Sequence, residues 1–185
     1  MNENIAPSAS SAATVTRGAG HTETIMPHGR YEVDCRRNGQ LVWRDTIDNL
    51  ITNVGSNLIN DTILGNSAAG AVVMGLMGAG TPNVADTQAS HAGWLEVGLA
   101  NLPTYTGNRQ TPSFSASSAR SKATSAPCTF PITNTGNVAG CFINVGGSAT
   151  KDNTSGTLLS VGAFANGTKP VSNGDTINVN YTFTS

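Results

Sequence analysis

The chain has 185 residues, of which 11% are charged and 21 are glycine, and its formal net charge is −1. This length suits one domain, or one domain with an arm, and can bury a core without disulfide or metal staples. A chain this close to neutral lacks the cluster of Lys and Arg that phosphate binding requires, so we expect no direct contact with nucleic acid.

The N-terminal segment reads differently from the rest of the chain. Its start, Met1-Asn2-Glu3-Asn4, lacks the basic and apolar regions of a secretory signal, and no apolar run nears the roughly 18 residues of a membrane span. We therefore expect a soluble protein, made in a cytoplasm, with no membrane partner. Residues 1–28 are rich in Ala, Ser and Thr without a hydrophobic period, which predicts an extended arm. We expect such an arm to bind a neighbouring subunit; the alternative is that it folds back on its own domain, residues 29–185.

A β-hairpin is predicted around Asn38-Gly39, because apolar and polar residues alternate on both sides of it. A two-residue turn would set Trp43 opposite Asp34, whereas a three-residue loop sets Trp43 opposite Val33. The second register also puts Leu41 on the same face as the other apolar residues, so we expect the three-residue loop.

The next part of the chain is predicted to hold one helix and one buried strand. Thr52 or Asn53 can cap the helix, its apolar positions recur at steps of three and four, and Gly65 follows its end. These apolar positions are Val54, Leu58, Ile59 and Ile63. The strand covers residues 72–76.

Residues 80–121 are predicted to form long loops with a short strand or two. Prolines and glycines surround one apolar island, residues 94–97. Long loops in a compact domain usually carry binding function or contacts.

The last third of the chain predicts four antiparallel strands with turns between them. Apolar residues alternate with polar ones in four groups: Cys128, Phe130 and Ile132; Ala139, Cys141, Ile143 and Val145; Leu159, Val161 and Ala163; and Ile177, Val179, Tyr181 and Phe183. Such spacing indicates a mainly β fold, an antiparallel sandwich or barrel. Pro131 places its strand at an edge or a bulge.

The sequence offers no recognisable catalytic or cofactor site, so we expect a protein that is not an enzyme and has no cofactor or metal. Few groups are available for such chemistry: the carboxylates Asp86, Glu96, Asp152 and Asp175 after residue 85, and the histidines His21, His28 and His91. No carboxylate pair, nucleophile elbow or zinc motif is present. A weak calcium site at Asp152-Asn153 is the minor alternative. The three cysteines, an odd number without CxxC spacing, favour buried reduced thiols.

The segment Ala85–Trp94 has two interpretations. In the functional one, His91 and Trp94 form a contact or sugar-stacking patch, since an indole face suits a pyranose ring. In the other, Asp86 and Ser90 bond the local backbone to fix an irregular loop while Trp94 fills the core. We favour the second.

Several features, taken in order, resemble a group of small structural proteins from tailed bacteriophages over about residues 29–185. They are the hairpin Tyr31–Trp43, the stretch Asn49–Leu58, the strand Met74-Gly75-Leu76, the segment Ala85–Trp94 and the ending Asn173–Tyr181. The resemblance implies a virion subunit with a jelly-roll-like sandwich, of the kind that serves as a capsid decoration (cement) protein. Other proteins of this appearance are tail or fibre components. The arm, residues 1–28, departs from the group.

Two functional hypotheses follow. The first is a capsid decoration protein on the phage particle surface, assembled in the cytoplasm of the bacterial host, that bridges neighbouring major capsid proteins and/or copies of itself as a homo-oligomer. The second is a tail- or fibre-associated module that binds a receptor or carbohydrate through Trp94, Tyr105 and the 80–120 loops. Copy number separates the two, since a cement protein is expected in hundreds of copies and a tail module in about a dozen or fewer.

Overall fold

The computed structural model describes residues 27–65, 68 and 70–185 of the chain. The predicted arm, 1–28, therefore lies outside the described residues except for Pro27 and His28. The described chain is mainly β, with antiparallel sheets and one short helix, as the sequence predicts. None of its helices is long and apolar enough to cross a membrane.

Twelve strands and one helix make up the described fold. They are β1 (His28–Arg37), β2 (Gln40–Asp48), β3 (Leu50–Ile51), α1 (Asn53–Ile63), β4 (Val72–Gly80), β5 (Trp94–Val97), β6 (Ser121–Ala123), β7 (Cys128–Pro131), β8 (Gly136–Val138), β9 (Gly140–Val145), β10 (Thr157–Ala163), β11 (Lys169–Val171) and β12 (Asp175–Thr184). The first sheet has the order β2-β1-β12-β6, with β7 also paired to β12. The second has the order β3-β10-β9-β4-β5, and β8 pairs with β11 apart from both.

The main core lies between the two five-stranded sheets. Alternate residues of β1 and β12 are buried and belong to the same cluster as alternate residues of β4 and β9. The hydroxyl of Tyr31, in the first sheet, lies 2.6 Å from Oγ of Ser160, in the second. This shared core makes the domain sandwich-like, and all strand pairings are antiparallel.

A second, smaller cluster covers the other face of the second sheet. In β9, Cys141 and Ile143 belong to the main core, whereas Phe142 belongs to the second cluster. Successive side chains of a strand point to opposite faces, so Phe142 lies on the side away from the first sheet. Trp94 and Met77 are its partners there.

The helix begins and ends as predicted. The side chain of Thr52 accepts a hydrogen bond from the backbone N–H of Gly55 (3.0 Å), and Gly65 has a φ of +85° just past the end. Gly55 lies directly against the carbonyl of Leu159 in β10, where a Cβ would collide with that oxygen. Ile63, however, is largely exposed, so the buried stripe is one turn shorter than the pattern predicts.

The hairpin differs from the prediction, and the expected three-residue loop is wrong. Asn38-Gly39 forms a two-residue turn with φ of +50° and +79°, the conformation that Asn-Gly favours. Val42 then forms a β-bulge, which shifts the register so that Trp43 pairs with Cys35. Trp43 thus reaches the inner face by another route, while Leu41 stays on the outer face and is half-exposed.

A second bulge changes the alternation predicted for β10. The pairing with β9 shifts at Leu159, which packs against the main core, whereas Val161 lies in the smaller cluster. The two residues therefore face opposite sides of the sheet. By contrast, Pro131 lies in β7, an edge strand that pairs with only β12 among the named strands, as predicted.

The three cysteines are buried and free, and burial raises the pKa of the Cys128 thiol to about 11.

Candidate functional site: a polar cleft and an exposed leucine surface

The segment 83–94 is an irregular loop held by its own side chains. The carboxylate of Asp86 accepts hydrogen bonds from the backbone N–H of Asn83 (2.8 Å) and from the indole N–H of Trp94 (3.0 Å). Thr87 and Ser90 exchange two backbone hydrogen bonds, of 2.9 and 3.2 Å. These bonds fix the loop against β5 and determine where its other side chains lie.

His91 and Trp94, two of the predicted site residues, lie together. Their rings stack with centroids 3.9 Å apart, and Nδ1 of His91 lies 3.1 Å from the carbonyl oxygen of Trp94. The indole is only 2% exposed and packs on Phe142, with ring centroids 5.4 Å apart. Trp94 therefore fills the second core cluster and offers no open ring face to a ligand, in line with the interpretation that we favour for this segment.

Tyr105, the third predicted residue, lies in the main core and not beside this pair. It is 3% exposed, makes an edge contact with Phe130 (5.1 Å between centroids) and lies beneath the ammonium group of Lys151 (4.3 Å). Burial raises the pKa of the Tyr105 hydroxyl. Its ring, like that of Trp94, is not presented at the surface.

A buried ion pair organises the loops around the site. Glu96, in β5, binds the guanidinium of Arg109 through both carboxylate oxygens, at 2.9 and 2.6 Å. The Arg109 side chain is fully buried and the Glu96 side chain nearly so, and Arg109 also lies over the ring of Phe142. A bidentate pair of this kind fixes both the distance and the orientation of the segments that carry it.

The same ion pair holds the loop 146–156. Arg109 donates to the carbonyl oxygens of Ser148 (3.0 Å) and Asn153 (2.7 Å), and Glu96 accepts from the backbone N–H of Asp152 (3.0 Å). The ammonium of Lys151 donates to the carbonyls of Gly98 and Tyr105, both at 2.7 Å. Desolvation lowers the pKa of this Lys151 ammonium. β5, the loop that follows it and the loop 146–156 are thereby joined at one end of the sandwich.

A polar cleft of about 230 Å³ lies where these loops meet. Its lining residues are Gln88, His91, Leu95, Glu96, Asn101, Asp152, Asn153 and Thr154. Gln88 is 1% exposed and donates through Nε2 to the carbonyl of Asn153 (3.3 Å), whereas its Oε1 has no hydrogen-bond partner. A buried amide oxygen without a partner is costly unless a ligand or an ordered water satisfies it.

Three leucines of β5 and the turn that follows it are more than half exposed, and Leu95 among them lines the cleft. We call Leu95, Leu99 and Leu102 the leucine surface; their exposures are 56, 57 and 58%. Leu95 and Leu102 share the wall of a neighbouring surface depression, and Leu99 lies in the turn between them, where Gly98 N–H donates to the carbonyl of Asn101. Grouped exposed leucines on a rigid support are typical of a contact surface.

Across the ranges that the structure describes, no three His, Cys, Asp or Glu side chains are placed to hold a metal ion. Asp152, the residue of the weak calcium alternative, uses Oδ2 to accept from the backbone N–H of Ala100 (3.1 Å). No protein-family model, curated protein or solved structure matches the chain.

Sequence reasoning missed two residues of this site, Gln88 and Arg109. Arg109 had a signal, because it is the only Lys or Arg between residues 45 and 119, and Glu96 is the only Glu after residue 32. Isolated opposite charges in a weakly charged chain are candidates for a buried pair. Gln88 had none, since nothing in its neighbours distinguishes it from a surface glutamine.

Proposed function

We propose that this protein is a structural subunit of a tailed-phage virion, a capsid decoration (cement) protein that binds neighbouring capsid proteins, copies of itself, or both. The leucine surface is the observation that carries the proposal. It presents three half-exposed leucines on β5 and the loop that follows it, which a buried ion pair and a lysine hold in place. Such a surface suits binding with little loss of conformational entropy. The resemblance described above supports the same class of protein.

The expected energy of the contact is modest for each copy. Covering the exposed half of each leucine contributes about 1 kcal/mol, or about 3 kcal/mol for the three, before the costs of association. A stable interface needs roughly 1,000 Å² or more of buried surface, which three leucines alone do not provide. We therefore assign the remaining contact to the arm, residues 1–28, and the stabilising effect on a shell to repetition over many lattice positions.

Copy number is the direct test of this function. Densitometry of purified virions against the major capsid protein is expected to give hundreds of copies for each particle. A dozen or fewer would refute the decoration function and favour a tail component. Absence of the protein from virions would refute both.

The leucine surface can be tested by substitution at one residue. Leu99→Ser is expected to lower occupancy on particles severalfold while leaving the melting temperature unchanged, because Leu99 is exposed. Leu41→Ser is the matched control, since Leu41 is similarly exposed but lies on the outer face of the hairpin. Equal occupancy for the two variants would show that the leucine surface is not the contact.

The contribution of the arm can be tested by deletion. A chain lacking residues 1–25 is expected to fold, because the described core starts at β1, and to lose stable binding to purified capsids. A pull-down with capsids measures the loss. Undiminished binding would show that the arm is not the anchor.

A tail- or fibre-associated module that binds a receptor or carbohydrate is the second candidate. The observation in its favour is the polar cleft, which has hydrogen-bonding groups at the meeting point of the 80–120 loops. Trp94 and Tyr105 do not supply an open stacking face, so sugar binding would depend on Gln88, His91 and Asn101. A folded cleft variant with normal occupancy but abolished infection would move this candidate ahead of the decoration function.

A further inference from the structure

We propose that the polar cleft binds an organic cation, the ammonium or guanidinium group of a Lys or Arg side chain on the partner protein. The identity of the partner rests on the proposed assembly function, but the chemistry of the cleft does not.

Four groups on the lining of the cleft can accept a further hydrogen bond. Gln88 Oε1 is buried without a partner, and its amide orientation is fixed because Nε2 donates to the carbonyl of Asn153. Nδ1 of His91 lies near the carbonyl oxygen of Trp94, which only accepts, so Nδ1 carries the hydrogen and Nε2 is the ring nitrogen that can accept. Asn101 donates through Nδ2 to the carbonyl of Glu96, which leaves its side-chain oxygen available. Asp152 engages one carboxylate oxygen and keeps the other.

The nearby donors are already used within the protein. Arg109 donates to Glu96 and to two loop carbonyls, and Lys151 donates to two other carbonyls. Most of the N–H donors of these two cations are therefore taken up within the protein. A cleft that accepts at several points and donates at few suits a ligand that only donates, and Lys and Arg side chains are such donors.

Charge and shape favour the same ligand. Glu96 is paired with Arg109, and the carboxylate of Asp152 is the other negative charge on the lining. The neighbouring Lys151 offsets part of this charge, and the oxygen of Asp152 that does not accept from Ala100 can attract a second cation. Leu95 belongs to both the cleft and the leucine surface. The aliphatic stem of a Lys or Arg side chain can cover Leu95 while its charged end reaches the acceptors. A basic residue within an apolar patch of the partner therefore fits this end of the sandwich.

Small cations provide a test that does not require the partner. The full chain, labelled with ¹⁵N, would be titrated with n-butylammonium chloride and with methylguanidinium chloride, each compared with sodium chloride at the same ionic strength. We expect saturable shifts confined to the side-chain amides of Gln88 and Asn101 and the ring of His91. Shifts that do not saturate, or that spread over the whole molecule, would overturn the proposal.

Two matched variants test the role of charge. Asp152→Asn removes the charge at a position with a φ of +59°, which Asn tolerates, and is expected to weaken butylammonium binding about two- to fivefold. Asp48→Asn removes the same charge from an exposed site on β2 and is expected to leave binding unchanged. Equal affinities for these two variants would contradict the cation site.

Competing ligands give further outcomes that overturn the proposal. Calcium chloride that saturates the same resonances at a tenfold lower concentration than butylammonium would identify a metal site instead. Methyl glucoside that saturates them where butylammonium does not would identify a carbohydrate site.

The titration and the virion densitometry can fail independently. Butylammonium binding by a protein that is absent from virions would support the cation site and refute the assembly function. Presence in virions of a protein whose cleft binds neither cation would support the assembly function and refute the cation site.

Discussion

Replacing Arg109 with Met is expected to lower the free energy of unfolding by about 3–5 kcal/mol, the usual cost of removing one partner from a buried ion pair. The side chains of Arg109 and Glu96 are 0% and 3% exposed. Met would therefore leave the Glu96 carboxylate out of water with the backbone N–H of Asp152 as its remaining donor. At about 2–4 °C for each kcal/mol in a chain of this size, the melting temperature is expected to fall by about 6–20 °C.

Thermal and urea unfolding would measure this loss, with Arg36→Met as the matched control. Arg36 pairs with Asp34 at 3.1 Å on a more exposed part of β1, where ion pairs contribute about 0–1 kcal/mol. The double variant Glu96→Leu/Arg109→Met removes both charges and is expected to be more stable than Arg109→Met alone. A melting temperature for Arg109→Met within about 2 °C of wild type would refute the reasoning.

Three further predictions concern the helix, the first sheet and the hairpin. Gly55→Ala is expected to destabilise the protein in urea unfolding, because the new Cβ would collide with the backbone of β10. This effect opposes the helix propensity, which favours Ala over Gly by about 1 kcal/mol. A stabilised variant would contradict this packing. The Arg37 guanidinium holds the pKa of Asp175 below its usual range, so the stability that this carboxylate contributes is present above about pH 4 and is lost as the pH falls through the lower pKa of the folded state. In acid titrations of unfolding, Asp175→Asn is therefore expected to lose less stability than wild type. An unchanged loss would show that the Arg37–Asp175 pair is not responsible. Trp43→Ala is expected to lower the free energy of unfolding by roughly 2 kcal/mol, less than the roughly 3–5 kcal/mol of a fully buried aromatic residue. Leu41→Ala is expected to lower it by under about 0.5 kcal/mol, because Leu41 is half-exposed. Equal losses in thermal melting would place both side chains on one face of the hairpin.

Much of the fold could be predicted from the sequence because its signals are local. Alternating apolar residues predict β1, β9 and β12, and the cap at Thr52 with Gly65 predicts both ends of the helix. The bulges at Val42 and Leu159 could not be predicted in the same way. A bulge inserts one residue into a strand without changing the amino-acid composition of that strand. Its position depends on which side chains the opposite sheet can bury.

The candidate site was predictable only in part. Asp86 and Ser90 indicate a loop that bonds its own backbone while Trp94 fills the core, and the structure has such a loop. The pairing of Arg109 with Glu96 and with the loop 146–156 joins segments 13 to 44 residues apart. No periodic pattern encodes such contacts, because they depend on where the two sheets bring the loop ends.

The position of β12 has a consequence for synthesis of the protein. β12 is the partner of β1 inside the first sheet, yet Asp175 follows its partner Arg37 by 138 residues. At about 5–20 residues per second, the ribosome leaves that edge of β1 without its partner for about 7–30 s after the hairpin emerges. An open strand edge is a template for pairing with other chains. Aggregation of nascent chains is thus most to be expected in this interval, and it ends only when the last strand is delivered.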